Sequence, residues 1–267
     1  MSPLNITIIQ TSLFWEDKDA NLRQFEEKIT GVKNKTALVI LPEMFSTGFS
    51  VTPQPLAEKM DGPTLSWMQK VSKTNNVILT GSFIVVEDGQ YFNRMVWMLP
   101  NGQLGFYDKR HLFAYGGEDK SYTAGKKRLI VSANGWKINL QICYDLRFPV
   151  WARQSPQPPQ TNPSLEYDLL LYVANWPKRR SLAWNTLLQA RAIENQSFVV
   201  GVNRIGQDGL GNDYIGDSKI IDPQGQVVCD AKNQEGVFTY QLMEEPLLQT
   251  RSHFPFWKDK DNFHILP

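Results

Sequence analysis

The chain has 267 residues, 42% of them apolar or aromatic, enough to bury the core of one large α/β domain or two small ones. Lysine and arginine (28) nearly balance aspartate and glutamate (27), so no strong field gathers nucleic acid or an anionic membrane, and the expected partner is small. Only two cysteines occur, Cys143 and Cys229, which excludes a dense disulfide framework and makes a reducing cytoplasm the simpler setting.

The first residues, Met1 to Trp15, carry no basic leader, and no apolar run approaches the length that spans a bilayer. The histidines His111, His253 and His264 are scattered and neither cysteine belongs to a CxxC pair, so no metal and no cofactor is expected.

Taken in chain order, short apolar runs rich in branched residues predict strands at Asn5 to Ile9, Ala37 to Leu41, Val77 to Val86, Met95 to Leu99, Ile138 to Ile142, Leu169 to Val173 and Phe198 to Val202. Helical spacing predicts helices at Asp19 to Thr30, Thr64 to Thr74 and Ser181 to Glu194, the last carrying Leu182, Leu187, Leu188 and Ile193. Turn residues at Glu87-Asp88-Gly89, Asn101-Gly102 and Asp222-Pro223-Gln224-Gly225 predict hairpins, and the C-terminal third reads as a β meander. The mixture is an α/β fold with helices covering sheets. Four prolines between Gln154 and Ser164 forbid regular structure there. Because apolar strands continue on both sides, that stretch is read as a surface insertion, and the chain as a single domain, 1–267.

Three chemically capable residues stand where a strand becomes a turn. Glu43 follows Ala37-Leu38-Val39-Ile40-Leu41-Pro42, Cys143 follows Ile138-Asn139-Leu140-Gln141-Ile142, and Lys109 follows Gly105-Phe106-Tyr107-Asp108. In α/β sheets the carboxyl ends of strands are where a rigid scaffold presents reactive groups. Singly, each reads at least as well as a solvated glutamate, a packed thiol or a solvated lysine. Cys229, inside Val227-Val228-Cys229, fits the packed role.

The segments "LPEMFSTGF", "DKRHLF" and "ICYDLRFPVWAR" together resemble, in order and separation, the three catalytic motifs of the nitrilase superfamily. Further segments, "VANWPKRRSLAWNTLLQARAIENQ", "YIGDSKIIDPQG" and "FPFWKDKDNF", are similar to its bacterial omega-amidase branch. The resemblance implies a four-layer α-β-β-α sandwich with two mixed sheets, paired into a homodimer. It implies a triad of Glu43, Lys109 and Cys143, and a second glutamate that positions the lysine, for which Glu118 in "GGEDKSYTAG" occupies the matching place.

Residue chemistry accommodates these roles. A thiol must lose its proton to attack an amide carbon, and a carboxylate such as Glu43 can take it and later deliver a proton to departing ammonia. The Lys109 ammonium and the backbone N–H of Tyr144 can stabilise the tetrahedral oxyanion. The omega-amidase branch implies a small 2-oxo acid amide and water as substrates, for example 2-oxoglutaramate or 2-oxosuccinamate. Its carboxylate needs a cationic cradle, for which Arg147, Arg179 and Arg180 are candidates, with Trp176 as a wall. For each arginine a structural ion pair, and for Trp176 core packing, is an equal alternative. A general aliphatic amidase, a nitrilase or an N-carbamoyl hydrolase stays open within the same chemistry, and a silent binding protein outside it. No GxSxG elbow and no GxGxxG loop occurs.

Overall fold

The computed structural model describes residues 1–154, 165–261, 263 and 265. The proline-rich stretch read as an insertion lies outside the described residues apart from Gln154, as does His264. Strand β1 (Leu4–Gln10) leads through helix α1 (Lys18–Thr30) to β2 (Leu38–Ile40), and α2 (Pro63–Asn75) leads to β3 (Ile78–Glu87). Next come β4 (Gln90–Met98), β5 (Leu104–Asp108), β6 (Ile130–Ala133) and β7 (Trp136–Ile142). The short α3 (Pro149–Ala152) precedes β8 (Leu169–Ala174), α4 (Ser181–Asn195) and β9 (Phe198–Asn203). The small pair β10 (Ile205–Gln207) and β11 (Asp213–Ile215) is followed by β12 (Ser218–Ile221), β13 (Val227–Lys232), β14 (Gly236–Leu242) and α5 (Glu244–His253).

The three expected helices form within a residue of their predicted ends, for local reasons. Asp17 caps α1 by accepting the Ala20 N–H at 2.9 Å, Pro63 opens α2, and Asn76 ends α2 with φ +53°. Gly89, at φ +73° beside Asp88 at φ +49°, makes the tight β3–β4 turn.

Among the described residues the strands form two six-stranded mixed sheets, ordered β14-β1-β2-β3-β4-β5 and β13-β12-β9-β8-β7-β6, and one two-stranded ribbon, β10-β11. Each large sheet has parallel central pairs, β1–β2–β3 and β7–β8–β9, flanked by antiparallel neighbours. Side-chain alternation decides what each face covers. On β1 and β2, Leu4, Ile6, Ile8, Leu38 and Ile40 enter the core shared with Ile138, Leu140 and Ile142 of the other sheet. The intervening Val39 and the following Leu41 pack instead under Leu22, Phe25 and Ile29 of α1 and Met68 and Val71 of α2. Each such side chain, taken from water to full burial, contributes about 1.5–3 kcal/mol. The result is the α-β-β-α sandwich.

One expectation needs correction. The C-terminal meander stops after one hairpin: β13 pairs with β12, but β14 crosses to the other sheet and pairs antiparallel with β1, Leu4 opposite Leu242. Without a neighbour β1 would present a row of unpaired N–H and C=O groups, and β14 covers that edge. On α4 the buried face is Trp184, Leu188, Arg191, Ala192 and Asn195, while Leu182 and Ile193 are exposed. Gly201 of β9 permits this close approach, since a Cβ there would come within 2.5 Å of Leu188 and 2.8 Å of Trp184.

Candidate active site

Glu43, Lys109 and Cys143 leave the ends of β2, β5 and β7, and the folding of the two sheets against each other gathers them. Glu43 and Lys109 come from the first sheet and Cys143 from the second. The turn after β2 is fixed by β3, where Ser82 Oγ accepts the Met44 N–H at 2.9 Å and its carbonyl accepts the Phe45 N–H at 3.0 Å. Cys143 has φ +46°, a strained left-handed value for a residue with a Cβ, at the start of a short 3-10 turn, Cys143–Arg147.

Lys109 is excluded from solvent together with both glutamates. Its Nζ donates to Glu43 Oε1 at 2.9 Å, to Glu118 Oε2 at 2.8 Å and to Glu118 Oε1 at 3.1 Å. Burial alone would lower the lysine, but Glu118 first and Glu43 second reverse this and hold the ammonium well above its ordinary value. Glu118 is raised by burial, opposed by Lys109 and reinforced by Glu43. The Cys143 thiol is pushed well up, by burial and then by the Glu43 charge, with Lys109 pulling the other way. The buried thiol, its thiolate disfavoured, thus lies against the Glu43 carboxyl group.

Further side chains hold this cluster, and composition and spacing did not single them out. Asn93, buried in β4, donates Nδ2 to Glu43 Oε1 at 2.8 Å and to Glu118 Oε1 at 3.3 Å. Asn175, just past β8, clasps Glu43 across the two sheets: its N–H donates to Glu43 Oε2 at 2.7 Å and its Nδ2 to the Glu43 carbonyl at 2.6 Å. Asn203 Oδ1 accepts the Trp176 N–H at 2.8 Å and its Nδ2 donates to the Trp176 carbonyl at 2.9 Å. The one signal in the sequence is an asparagine within or ending an apolar strand, where that residue is depleted. Glu118 accepts the Phe113 N–H at 2.6 Å, which fixes its carboxylate on the loop after Lys109.

A cavity of about 230 Å³ opens over the cluster, lined by Lys109, Cys143, Tyr144, Asn175, Trp176 and the three candidate arginines, and walled further by Phe49, Phe113 and Tyr214. Trp176 is buried, donates Nε1 to the Arg180 carbonyl at 2.8 Å and packs on Trp184 at 5.5 Å. The Arg147 guanidinium lies 5.1 Å over the Trp176 ring and that of Arg180 4.9 Å over Phe113. Arg179 is the more exposed of the three. Burial, then Arg179 and Arg147, lower Arg180, so the three cations are neighbours. None of them forms an ion pair among the described residues. Asn175, also in the cavity wall, has a buried Oδ1 with no hydrogen-bond partner among the described residues. Tyr144 follows the thiol, its ring edge-on to Phe113 and Phe148 at 5.1 Å each. Among the described residues no cluster of three His, Cys, Asp or Glu side chains is placed to hold a metal ion.

Two mixed sheets between helices, with a thiol, two carboxylates and a lysine at their meeting edge, define a hydrolase of the nitrilase type, and the chain belongs to the carbon-nitrogen hydrolase family, whose model matches residues 5–250. It is 41% identical over 266 residues to the omega-amidase YafV of Escherichia coli (strain K12), covering 99% of this chain and 100% of that one. It is 30% identical over 257 residues to a 2-oxoglutaramate amidase of Bacillus subtilis (strain 168), covering 95% and 96%. Among solved structures, a CN-hydrolase superfamily protein of Xanthomonas campestris with an arsenic adduct in its active site superposes with a TM-score of 0.97 at 42% identity, covering 100% of both chains.

Proposed function

We propose that this chain is an omega-amidase that hydrolyses the terminal amide of a small 2-oxo acid amide, 2-oxoglutaramate or 2-oxosuccinamate, to the dicarboxylate and ammonia. The observation that carries the reading is the pairing of a buried Glu43–Lys109–Cys143 cluster with three arginines that face the same cavity and form no ion pair among the described residues. A buried or half-buried cation without a counter-charge is costly unless a ligand supplies one.

In the proposed mechanism Glu43 takes the Cys143 proton as sulfur attacks the amide carbon. The oxyanion is stabilised by the Lys109 ammonium and the Tyr144 N–H, each such donor being worth about 3–4 kcal/mol of barrier. Glu43 then gives its proton to the nitrogen, ammonia leaves, and a thioester remains on Cys143. Water, deprotonated by Glu43, attacks that thioester, and collapse returns the thiol and releases the acid. Glu118 holds Lys109 in place. Arg147, Arg179 and Arg180 receive the substrate carboxylate, with Trp176 as the wall, and Arg180 is the first choice because it is half-buried against Phe113.

We further propose a cytoplasmic homodimer, supported by two free cysteines and by exposed apolar side chains, Val150, Leu182 and Ile193, on the helical layer. Light scattering of the purified chain checks the dimer. The reaction is tested by ammonia release from 2-oxoglutaramate and from butyramide, which lacks the carboxylate and keto groups. Losing a buried charge-assisted hydrogen bond costs about 1.5–3 kcal/mol, so kcat/KM should favour 2-oxoglutaramate by about tenfold to more than a hundredfold. Arg180→Met should shrink that preference. Equal efficiency on both amides would leave a general aliphatic amidase as the better reading.

A further inference from the structure

The turn that carries Cys143 is held from behind by a side chain that does not line the cavity. Asp145 is fully buried, and each of its oxygens has two polar partners within hydrogen-bond distance. Oδ2 accepts the Ile142 N–H at 3.0 Å and the Tyr107 hydroxyl at 2.7 Å. Oδ1 accepts the His111 N–H at 2.9 Å and lies 2.8 Å from His111 Nδ1. Burial, then the charge of Asp145, holds the Tyr107 hydroxyl well above its ordinary value, so it remains a donor.

These partners come from two separate stretches of chain. Ile142 directly precedes Cys143, whereas Tyr107 and His111 stand two residues to either side of Lys109. Lys109 follows an edge strand of one sheet and Cys143 follows a strand of the other, and the two sheets are not joined by a backbone ladder at these strands. Side-chain contacts must therefore fix their spacing. The neighbouring contacts have the same two ends: Trp151 Nε1 donates to the Tyr107 hydroxyl at 2.9 Å, and the His111 ring stacks on Phe148 at 3.9 Å.

The geometry points to Asp145 as a positioning residue that sets the separation of the Cys143 thiol from the Lys109 ammonium, acting through Ile142 on one side and through Tyr107 and His111 on the other. The inference rests on the proposed roles of Cys143 as nucleophile and Lys109 as oxyanion donor. A carboxylate suits this place because it only accepts. An asparagine would turn its NH₂ toward either the Ile142 or the His111 backbone N–H, and neither can become an acceptor, so one side of the clasp must move away.

The test uses the full chain in a Cys229→Ala background, with the amide that gives the fastest ammonia release, and rates expressed per titrated Cys143 thiol. A misplacement near 1 Å costs about a hundredfold, so Asp145→Asn should lower kcat by about that factor while KM stays within about threefold, since Arg179 and Arg180 lie on another segment and only Arg147 shares the turn. Tyr107→Phe keeps both carboxylate oxygens and removes one donor, and should lower kcat by about tenfold with KM again unchanged. A merely structural role predicts lower unfolding temperatures with full kcat per folded thiol, and that result in either variant overturns the inference. If Asp145→Asn does not fold, Tyr107→Phe decides alone. Inactive Cys143→Ala and Lys109→Met beside a full-speed Asp145→Asn would refute only the positioning role. Full activity in the first two would overturn the reading beneath it, and the inference with it.

Discussion

Lys109→Met takes the cation from between two buried carboxylates, and its effect on stability can be worked out from the geometry. In the native protein Nζ lies 2.9 Å from Glu43 and 2.8 Å from Glu118, with all three side chains out of solvent. A thioether leaves the carboxylates facing each other, an uncompensated burial that costs about 3–5 kcal/mol. Uptake of one proton by the pair relieves it. The folded variant then binds a proton that the unfolded chain releases at about pH 4.3. A raised folded value means that stability is fully present below the unfolded value and is lost as pH rises, by about 1.4 kcal/mol per pH unit for one proton, until the folded value is passed. For a chain of this length about 1 kcal/mol moves Tm by about 2–4 °C, so the variant should fall away from the wild type by about 3–6 °C per unit between about pH 5 and 7. Calorimetry of the two proteins in buffers of matched ionic strength reads the difference. Ammonia release should also fall, by about a hundredfold to a thousandfold, as an oxyanion donor is lost. Parallel Tm curves across that range would refute the dependence of these carboxylates on Lys109.

Cys143→Ala should abolish turnover with the fold intact by circular dichroism, and Cys229→Ala should stay active; near wild-type ammonia release from the first removes the proposed nucleophile. Glu43→Gln keeps its shape but exchanges no proton, so single-turnover acylation of Cys143 should disappear, and a rapid acylation phase would exclude Glu43 as the thiol base. Because burial and then Glu43 hold the Cys143 thiol well up, its alkylation by iodoacetamide should stay slow from about pH 7 to 9, where a free thiol accelerates. By the same sign its contribution to stability is present below the unfolded thiol value of about 8.5 and fades above it, so wild type and Cys143→Ala should diverge only in alkali.

The elements legible beforehand were those whose own residues carry the signal. The inward rows of β1, β7, β8 and β9 are apolar over six or seven residues, the short β2 sits inside the longer apolar run Ala37 to Leu41, and the two long helices before β3 have a capping aspartate and an opening proline of their own. β10 and β11 span three residues each, too few for periodicity to register. The position of β14 depends on the vacant edge of β1, which lies far away in the chain. The residues proposed as reactive were legible because each stands at a strand end and because three motifs occur in order. Asn93, Asn175 and Asp145 were not, since each is defined by what it binds from another segment: Glu43 and Glu118, Glu43, and the residues flanking Lys109. On α4, helical spacing gave the element but not which of its apolar residues face inward: Trp184 and Leu188 do, where Gly201 leaves room, and Leu182 and Ile193 do not.

The pairing of β1 with β14 joins Leu4 to Leu242, nearly the full span of the chain. On a ribosome adding about 5–20 residues per second, the first strand would wait roughly 10–50 s for the neighbour that covers its edge. During that interval Asn5 to Ile9 offers unpaired backbone groups on an apolar strand, the kind of surface on which nascent chains pair with the wrong partner. Closing this edge of the first sheet thus depends on a pairing of very high sequence separation, the kind that slows folding. Shortening the chain before Leu242 would leave that early strand permanently open, so truncated products should accumulate as aggregates even though every proposed reactive residue, from Glu43 to Cys143, had already been made.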